Sequence, residues 1–399
     1  MISGNGKTSG ETPQARIEGA ECRLYSQGIC RSCGLLGLPS GARLASKERS
    51  ILETLAASGI CPSNVEQICL PDTPWGSRSK TKLLVGGTAD KPLLGVVSQS
   101  LEFTELAQCP LSPGPVRDLL EEVRRLIPLA SLVPYSIRER RGELKGLTVM
   151  TNSPLSGGIL RFVLRSTESV PRIRKIIPAL QASHPWLSVV SCNIQPLAAA
   201  IPEGPEEVIL TAQDHIVAEY GPVRLFLSPQ SFMQVTPEVA AALYGCARSW
   251  TAEKRGGKAL DLFCGVGGFA LAVAPHVDSV TGIEASAVAV RNASMAAAEA
   301  GLGSSADFVV GDAERALDTS PDGLALAIVN PPRRGLSSGL RSRLAAAGPE
   351  RILYSSCNPE TFARDVADLA AGYSLSRLAP FDMFPLTGHC ELLGLLERR

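Results

Sequence analysis

The stretch Lys258-Ala259-Leu260-Asp261-Leu262-Phe263-Cys264-Gly265-Val266-Gly267-Gly268-Phe269 decides the reading of the carboxyl-terminal half. An apolar run, a glycine loop and the start of an Ala-rich stretch follow one another, the pattern of a buried strand turning into a helix. Glycines at such a turn let backbone N–H groups approach a ligand closely. Alone they describe only a tight turn, and Gly265, Gly267 and Ala270 also fit the G-x-G-x-x-G/A pattern of nicotinamide and flavin enzymes. What lies downstream separates these readings.

A second apolar run, Ser279 to Glu284, ends in a carboxylate suited to a ribose diol in the crevice at the strand ends. A third, Asp307 to Asp312, ends in another. The fourth, Leu324 to Val329, runs straight into Asn330-Pro331-Pro332-Arg333. Two prolines fix φ and give up their N–H groups, so they form a stiff wall that suits a flat ring. An aromatic residue after Asn-Pro-Pro would suggest methylation of an exocyclic amine, but Arg333 stands there. A fifth run, Arg351 to Ser356, ends at Cys357, which puts a thiol at the carboxyl end of the sheet beside the crevice. A single cysteine is more often a small buried hydrophobe, and position is what singles this one out. Near the end, Phe381-Asp382-Met383-Phe384-Pro385 leads to His389-Cys390-Glu391 and the apolar run Leu392 to Leu396. Glu391 as a loop cap and His389 as a structural residue are the plain readings of that segment.

Short apolar strands alternating with helical stretches over residues 226–399 read as an α/β domain with a mostly parallel, doubly wound sheet. Residues 21–225 differ: crowded cysteines, then β-branched runs around Asn152-Ser153-Pro154 and Gly157-Gly158 that signal a hairpin, give a smaller β-rich (α+β) domain. Residues 1–20, rich in Gly, Ser and Thr, read as a disordered tail. The chain has 399 residues, 45% hydrophobic and 20% charged, which is ordinary for a globular protein of two domains. No signal-peptide core and no run of about 18 apolar residues is present, so a cytoplasmic protein is expected. Lys plus Arg equals Asp plus Glu at 39 each, so any nucleic-acid site must be a local patch.

Taken in order, these motifs resemble the RNA uracil-5-methyltransferase family. The resemblance rests on Asp261-x-Phe263-x-Gly265-x-Gly267-Gly268-Phe269, Asn330-Pro331-Pro332-Arg333, Ser355-Ser356-Cys357-Asn358-Pro359, and Asp382-Met383-Phe384-Pro385 with His389-x-Glu391. It implies a Rossmann-like class I domain binding S-adenosylmethionine (SAM), with Cys357 as nucleophile and Glu391 as general base. Gln234, Phe263, Glu284 and Asn330 would contact the cofactor, alongside Gly265 of the loop and Asp312 of the third strand. C5 of uracil becomes nucleophilic only after a thiolate adds at C6, so a low-pKa thiol and, later, a base are needed. A carboxylate beside a partly desolvated ring suits the second task through a raised pKa. Three positions depart from the family pattern: Thr236 stands where Asn is usual, Asn330 where the nearest relatives commonly carry Asp, and Cys390 lies between His389 and Glu391.

Cys22, Cys30, Cys33 and Cys109 provide thiolates enough for either a [4Fe-4S] cluster or an all-thiolate zinc site. The resemblance continues through this segment. It is closest to family members that act on 23S ribosomal RNA and hold [4Fe-4S] on these cysteines, which implies a uridine of 23S rRNA as target and a monomeric enzyme. Cys61 and Cys69 carry no assigned role, and Cys192, Cys246 and Cys264 read as packing residues. Arg78, Lys80, Lys82, Arg138, Arg140, Arg141, Lys145, Arg161 and Arg165 form the candidate phosphate-binding surface, with Tyr135, Phe162 and Phe232 as candidate stacking platforms. The same chemistry on another rRNA uridine or on tRNA, and a metal-bearing RNA-binding module with an inactive methyltransferase domain, are the rival readings.

Overall fold

The structure is a computed structural model that describes residues 22–97, 102–198, 203–319 and 323–399. The tail expected over residues 1–20 lies outside them. The first half contains α1 (Arg23–Ser26), α2 (Ser40–Ala57), β1 (Asn64–Val65), β2 (Lys80–Gly87), β3 (Pro92–Val97), β4 (Phe103–Glu105), α3 (Gly114–Leu129), β5 (Leu144–Thr151), β6 (Gly158–Leu164), α4 (Val170–Ser183), β7 (Leu187–Ile194) and β8 (Glu206–Ile209). A hairpin of β9 (Ile216–Tyr220) and β10 (Val223–Leu227) leads to α5 (Pro237–Ala252). The second half then alternates: β11 (Lys258–Leu262), α6 (Gly268–Val273), β12 (Ser279–Glu284), α7 (Ala287–Glu299), β13 (Ala306–Val310), β14 (Leu324–Val329), α8 (Ser338–Ala347), β15 (Arg351–Ser356), α9 (Pro359–Leu369), β16 (Tyr373–Phe381) and β17 (Glu391–Arg398).

The second half builds an eight-stranded sheet in the order β1-β16-β17-β15-β14-β11-β12-β13. Strands β11 to β15 are parallel to their neighbours in this set, and all six residues of β15 are buried. Apolar cores cover both faces, which is why these strands read as unbroken hydrophobic runs. The chain order reverses where β14 lies beside β11, and the crevice outside the carboxyl ends of a parallel sheet opens at such a switch point. The Phe263–Gly267 loop and Asn330–Arg333 both leave their strands there.

One strand runs the other way. β17 is antiparallel to both β15 and β16, with Leu392 opposite Ser356 and Glu391 opposite Phe381. Its first residue therefore lies where β15 ends.

The central sheet has seven strands, β4-β3-β2-β5-β6-β7-β8, with only β6 and β7 parallel. Its core packs the apolar stripe of α3, Val116, Leu119, Leu120, Val123 and Ile127, whose i, i+3, i+4 spacing makes one face. Sheet membership cuts across the sequence boundary near residue 225. β1 pairs with β16, and α2 places Ile51 and Leu55 in the core with Phe362 of α9, so the chain enters along the larger sheet before building the smaller one.

Two expectations about the central sheet are corrected. Phe162 is fully buried, because alternation on β6 turns it into the core, and it offers no surface for a base. Arg161 is 1% exposed and pairs with Glu203 and Glu207, the latter through paired guanidinium bonds of 2.9 and 2.6 Å. Ser191 and Asn193 also donate to Glu207. Removing the arginine leaves a buried carboxylate without its cation, so Arg161→Ala should lower the unfolding free energy by about 3–5 kcal/mol. Urea denaturation checks this, and wild-type stability would show that the pair is solvated.

Candidate active site

The position of Cys357 follows from how α9 begins. Cys357 directly follows β15, and Asn358 caps the helix, its Oδ1 accepting the Glu360 N–H at 3.0 Å. The carbonyl of Arg333 accepts from Asn358 Nδ2 and Thr361 Oγ1, each at 3.3 Å, which ties the loop after the double proline to the same helix turn. The Arg333 guanidinium is near enough to Cys357 to lower its pKa and lies 3.3 Å from His389 Nδ1.

Glu391 opens β17 and is buried with its Oε1 accepting a 2.5 Å bond from Ser355 Oγ. Burial pushes its carboxyl up to about 7, against the opposing pull of that hydroxyl. This is the direction a base working near neutral pH needs. Cys357 departs from the expected low-pKa thiol. Half-burial and then the nearby Glu391 charge push it up, and Arg333 only partly offsets them. His389 is exposed, and its pKa is lowered by desolvation, Arg333 and Lys47, so the ring stays neutral near pH 7.

Two cavities meet at Phe263. One, of about 360 Å³, is lined by Phe263, Ile283, Glu284, Val310 and Asp312; the other by Phe232, Gln234, Phe263, Gly265 and Asn330. Phe263 has φ +64, so it already carries the left-handed turn that ends β11. Gly267, at φ +86, has no room for a side chain: a Cβ there would lie 2.9 Å from the Phe308 ring. Asp261 Oδ2 accepts from Ala270 N at 3.0 Å, fixing the loop to the start of α6. Glu284 accepts from the N–H groups of Gly265 and Ser286 at 3.2 and 2.9 Å, which orients one carboxylate at the junction. The six residues proposed from sequence for the cofactor thus divide between two cavities that share Phe263, with Glu284 and Asp312 in one and Gln234, Gly265 and Asn330 in the other.

Thr236 uses its hydroxyl to donate to the Met383 carbonyl at 2.9 Å, joining the start of α5 to the loop before Glu391. Cys390 is buried with its thiol pushed up to about 12, so it is a packing residue. Lys47 and Ser355 were not singled out from the sequence. Ser355 lies inside a motif, but Lys47 is an isolated lysine whose partners are 335 positions or more away.

Cys22, Cys30, Cys33 and Cys109 line a single cavity with Arg78 and Thr387. Cys33 is pushed up to about 11, first by burial and then by the other three thiols, with Arg78 opposing. Among the described residues, however, no three His, Cys, Asp or Glu side chains are close enough to hold a metal ion. Cys61 is exposed, and the backbone of Cys69 bridges to β16.

Several cations expected to face RNA have partners within the protein. Lys80 donates to the Ser231 carbonyl and is pushed down to about 8 by burial, Lys145 donates to Gln195 and Leu197, and Arg165 pairs with Glu143. Lys82 pairs with Glu203. Arg138, Arg140 and Arg141 are exposed together on the turn before β5, and Phe232 is 66% exposed at the mouth of the crevice. Among the described residues no helix is long and apolar enough to cross a membrane.

Residues 323–399 match the family model described as tRNA (Uracil-5-)-methyltransferase, and residues 259–331 match a general methyltransferase domain. The chain is 41% identical over 389 residues to 23S rRNA (uracil(747)-C(5))-methyltransferase RlmC of Shewanella baltica, covering 95% of this chain and 97% of that one. With the enzyme of the same name from Pectobacterium atrosepticum it is 40% identical over 94% of this chain and 99% of the other. The fold is similar to that of Pyrococcus abyssi tRNA (uracil-54, C5)-methyltransferase, with a TM-score of 0.74, 24% identity, and coverage of 92% of this chain and 86% of that one. The relatives at 40 to 41% identity span nearly the whole sequence, so the chain belongs to the RNA (uracil-C5)-methyltransferase family, alongside the RlmC enzymes, and is a methyltransferase.

Proposed function

We propose that this methyltransferase moves the methyl group of SAM to C5 of a uridine in 23S rRNA, the one corresponding to uracil 747 in the names of its relatives. It would act as a monomer in the cytoplasm. The observation that carries the mechanism is the pairing of a half-buried thiol at the end of β15 with a buried, high-pKa carboxyl at the start of antiparallel β17. When bound, the cofactor supplies an electrophilic methyl group, which Glu284, Asp312, Phe263, Gln234, Gly265 and Asn330 would hold beside the flipped base.

Cys357 gives up its proton to water and adds through sulfur to C6 of the base, which becomes an enolate nucleophilic at C5. Arg333 is the cation that favours the thiolate, and protonation of Glu391 removes the charge that opposes it. Once C5 has taken the methyl group and Glu391 has lost its own proton to water, the Glu391 carboxylate accepts the C5 proton, the S–C6 bond breaks, and the C5–C6 double bond returns with the Cys357 thiolate released. Arg138, Arg140 and Arg141 would hold phosphates while the base is out of its stack. Residues 21–225 serve as the RNA-facing domain in this reading, and 226–399 as the catalytic one.

Cys22, Cys30, Cys33 and Cys109 are proposed to hold a [4Fe-4S] cluster, which would fasten this segment and take no part in methyl transfer. Four thiols around one cavity support the reading, since a bound metal would stabilise their thiolate forms. Protein purified without oxygen should then be brown with about four irons per chain. Cys30→Ser or Cys109→Ser should lose the colour, and stoichiometric zinc without iron would reject the assignment.

The order of bond changes gives the catalytic test. With RNA and methyl-labelled SAM, Cys357→Ala should form no adduct, whereas Glu391→Gln should accumulate a labelled protein–RNA band while turnover falls roughly 10²–10⁴-fold. In the wild type the release step should rise with pH, about tenfold per unit, and level off above about 7, because only ionised Glu391 accepts the proton. A pH-independent release step, or normal turnover by Glu391→Gln, would remove Glu391 as the base. Methylation of tRNA alone would move the substrate assignment.

A further inference from the structure

Residues 382–390 join β16 to β17 and determine where Glu391 enters the site. They form neither helix nor strand, and much of their shape is held from outside. Thr236 reaches the Met383 carbonyl. Lys47 does more: its Nζ donates to Asp382 Oδ1 at 2.5 Å, the Phe384 carbonyl at 3.0 Å and the His389 carbonyl at 3.1 Å. Those three bonds use all three donors of the ammonium. They grip the segment at its start, its middle and two residues before Glu391.

Lys47 comes from the buried face of α2, and the two side chains of the ion pair are 1% and 4% exposed. Burying such a pair costs much of what it gains, and apolar residues of the same volume often serve stability as well. A cation with three directed donors adds something apolar packing does not: one defined path for an irregular loop. The segment before α2 touches the same loop. Leu35 N donates to the Leu386 carbonyl at 3.0 Å, and Thr387 lines the cavity of the four cysteines.

We propose that Lys47 is a positioning residue for the base, holding residues 382–390 so that Glu391 meets the C5 proton of the methylated adduct. The inference rests on the reading of Glu391 given above. Lys47 touches neither thiol nor cofactor crevice, so its loss acts on proton removal and leaves thiol addition and cofactor binding in place. Misplacement of a reacting group by about 1 Å costs on the order of 100-fold.

The test is single-turnover methylation by the full chain, scoring adduct formation and product release separately, with SAM affinity and urea stability measured alongside. Lys47→Met is expected to form the labelled adduct at nearly the wild-type rate and to release product on the order of 100-fold more slowly. Lys47→Arg, which keeps charge and donors, should regain part of the release rate. Folded Lys47→Met that releases product normally overturns the proposal. So does a fall in both steps by the same factor, in proportion to the folded fraction. Should Lys47→Met not fold, Asp382→Asn leaves an acceptor and the loop's shape, and is expected to slow release alone by about 10-fold; unslowed release there is equally contrary. Absence of an adduct in both wild type and Glu391→Gln would remove the covalent mechanism itself. Normal controls with an unaffected Lys47→Met remove only the role of Lys47.

Discussion

The site depends on one strand running against the rest. In a wholly parallel sheet the residues that begin a strand lie at the opposite edge from the loops that carry chemistry. Because β17 is antiparallel and sits next to β15, its first residue meets the end of β15, and Glu391 comes within a hydrogen bond of Ser355, two residues before Cys357. The order reversal between β11 and β14 lies at the same edge, where a parallel sheet opens a crevice. Thiol, carboxyl and crevice are therefore products of topology before any side chain is chosen.

Burial then sets the chemistry. Glu391 is out of water with a single hydroxyl for company, so its neutral form is favoured up to about 7. Its charge and half-burial together hold Cys357 as a thiol, while Arg333 supplies the opposing cation. Two groups whose protonation states oppose each other fit a reaction in which thiolate and base are needed at different steps. Holding the carboxyl requires an ordered approach to β17, and Lys47, Thr236 and the amino-terminal segment contribute that from the far side.

Much of this was legible in the sequence because it is local. Apolar runs ending in Gly265, Glu284, Asn330 and Cys357 specify strands and what stands at their ends, and the Asn152–Gly158 turn marks the hairpin between β5 and β6. What escaped depends on contacts between distant residues. Nothing around Lys47 distinguishes it from a solvated helix lysine, and its partners lie more than 300 positions away. Arg161 looked like a phosphate ligand because its acceptors, Glu203 and Glu207, belong to another segment. The thiol's raised pKa likewise depends on its burial and then on Glu391, whose proximity is a matter of strand direction. Lone charges give little warning in sequence, since one positive residue reads alike whether it meets water or a buried carboxylate.

The most direct test of the central claim is a structure of the protein trapped on RNA carrying 5-fluorouridine at the target position, in the presence of SAM. Fluorine at C5 cannot leave as a proton, so the reaction should stop with the base attached to Cys357. The account predicts a continuous Cys357 Sγ–C6 bond, a methyl group on C5, and the Glu391 carboxylate within hydrogen-bond reach of the fluorine position. A trapped base with Glu391 turned away, or a base bonded to no cysteine, would contradict it.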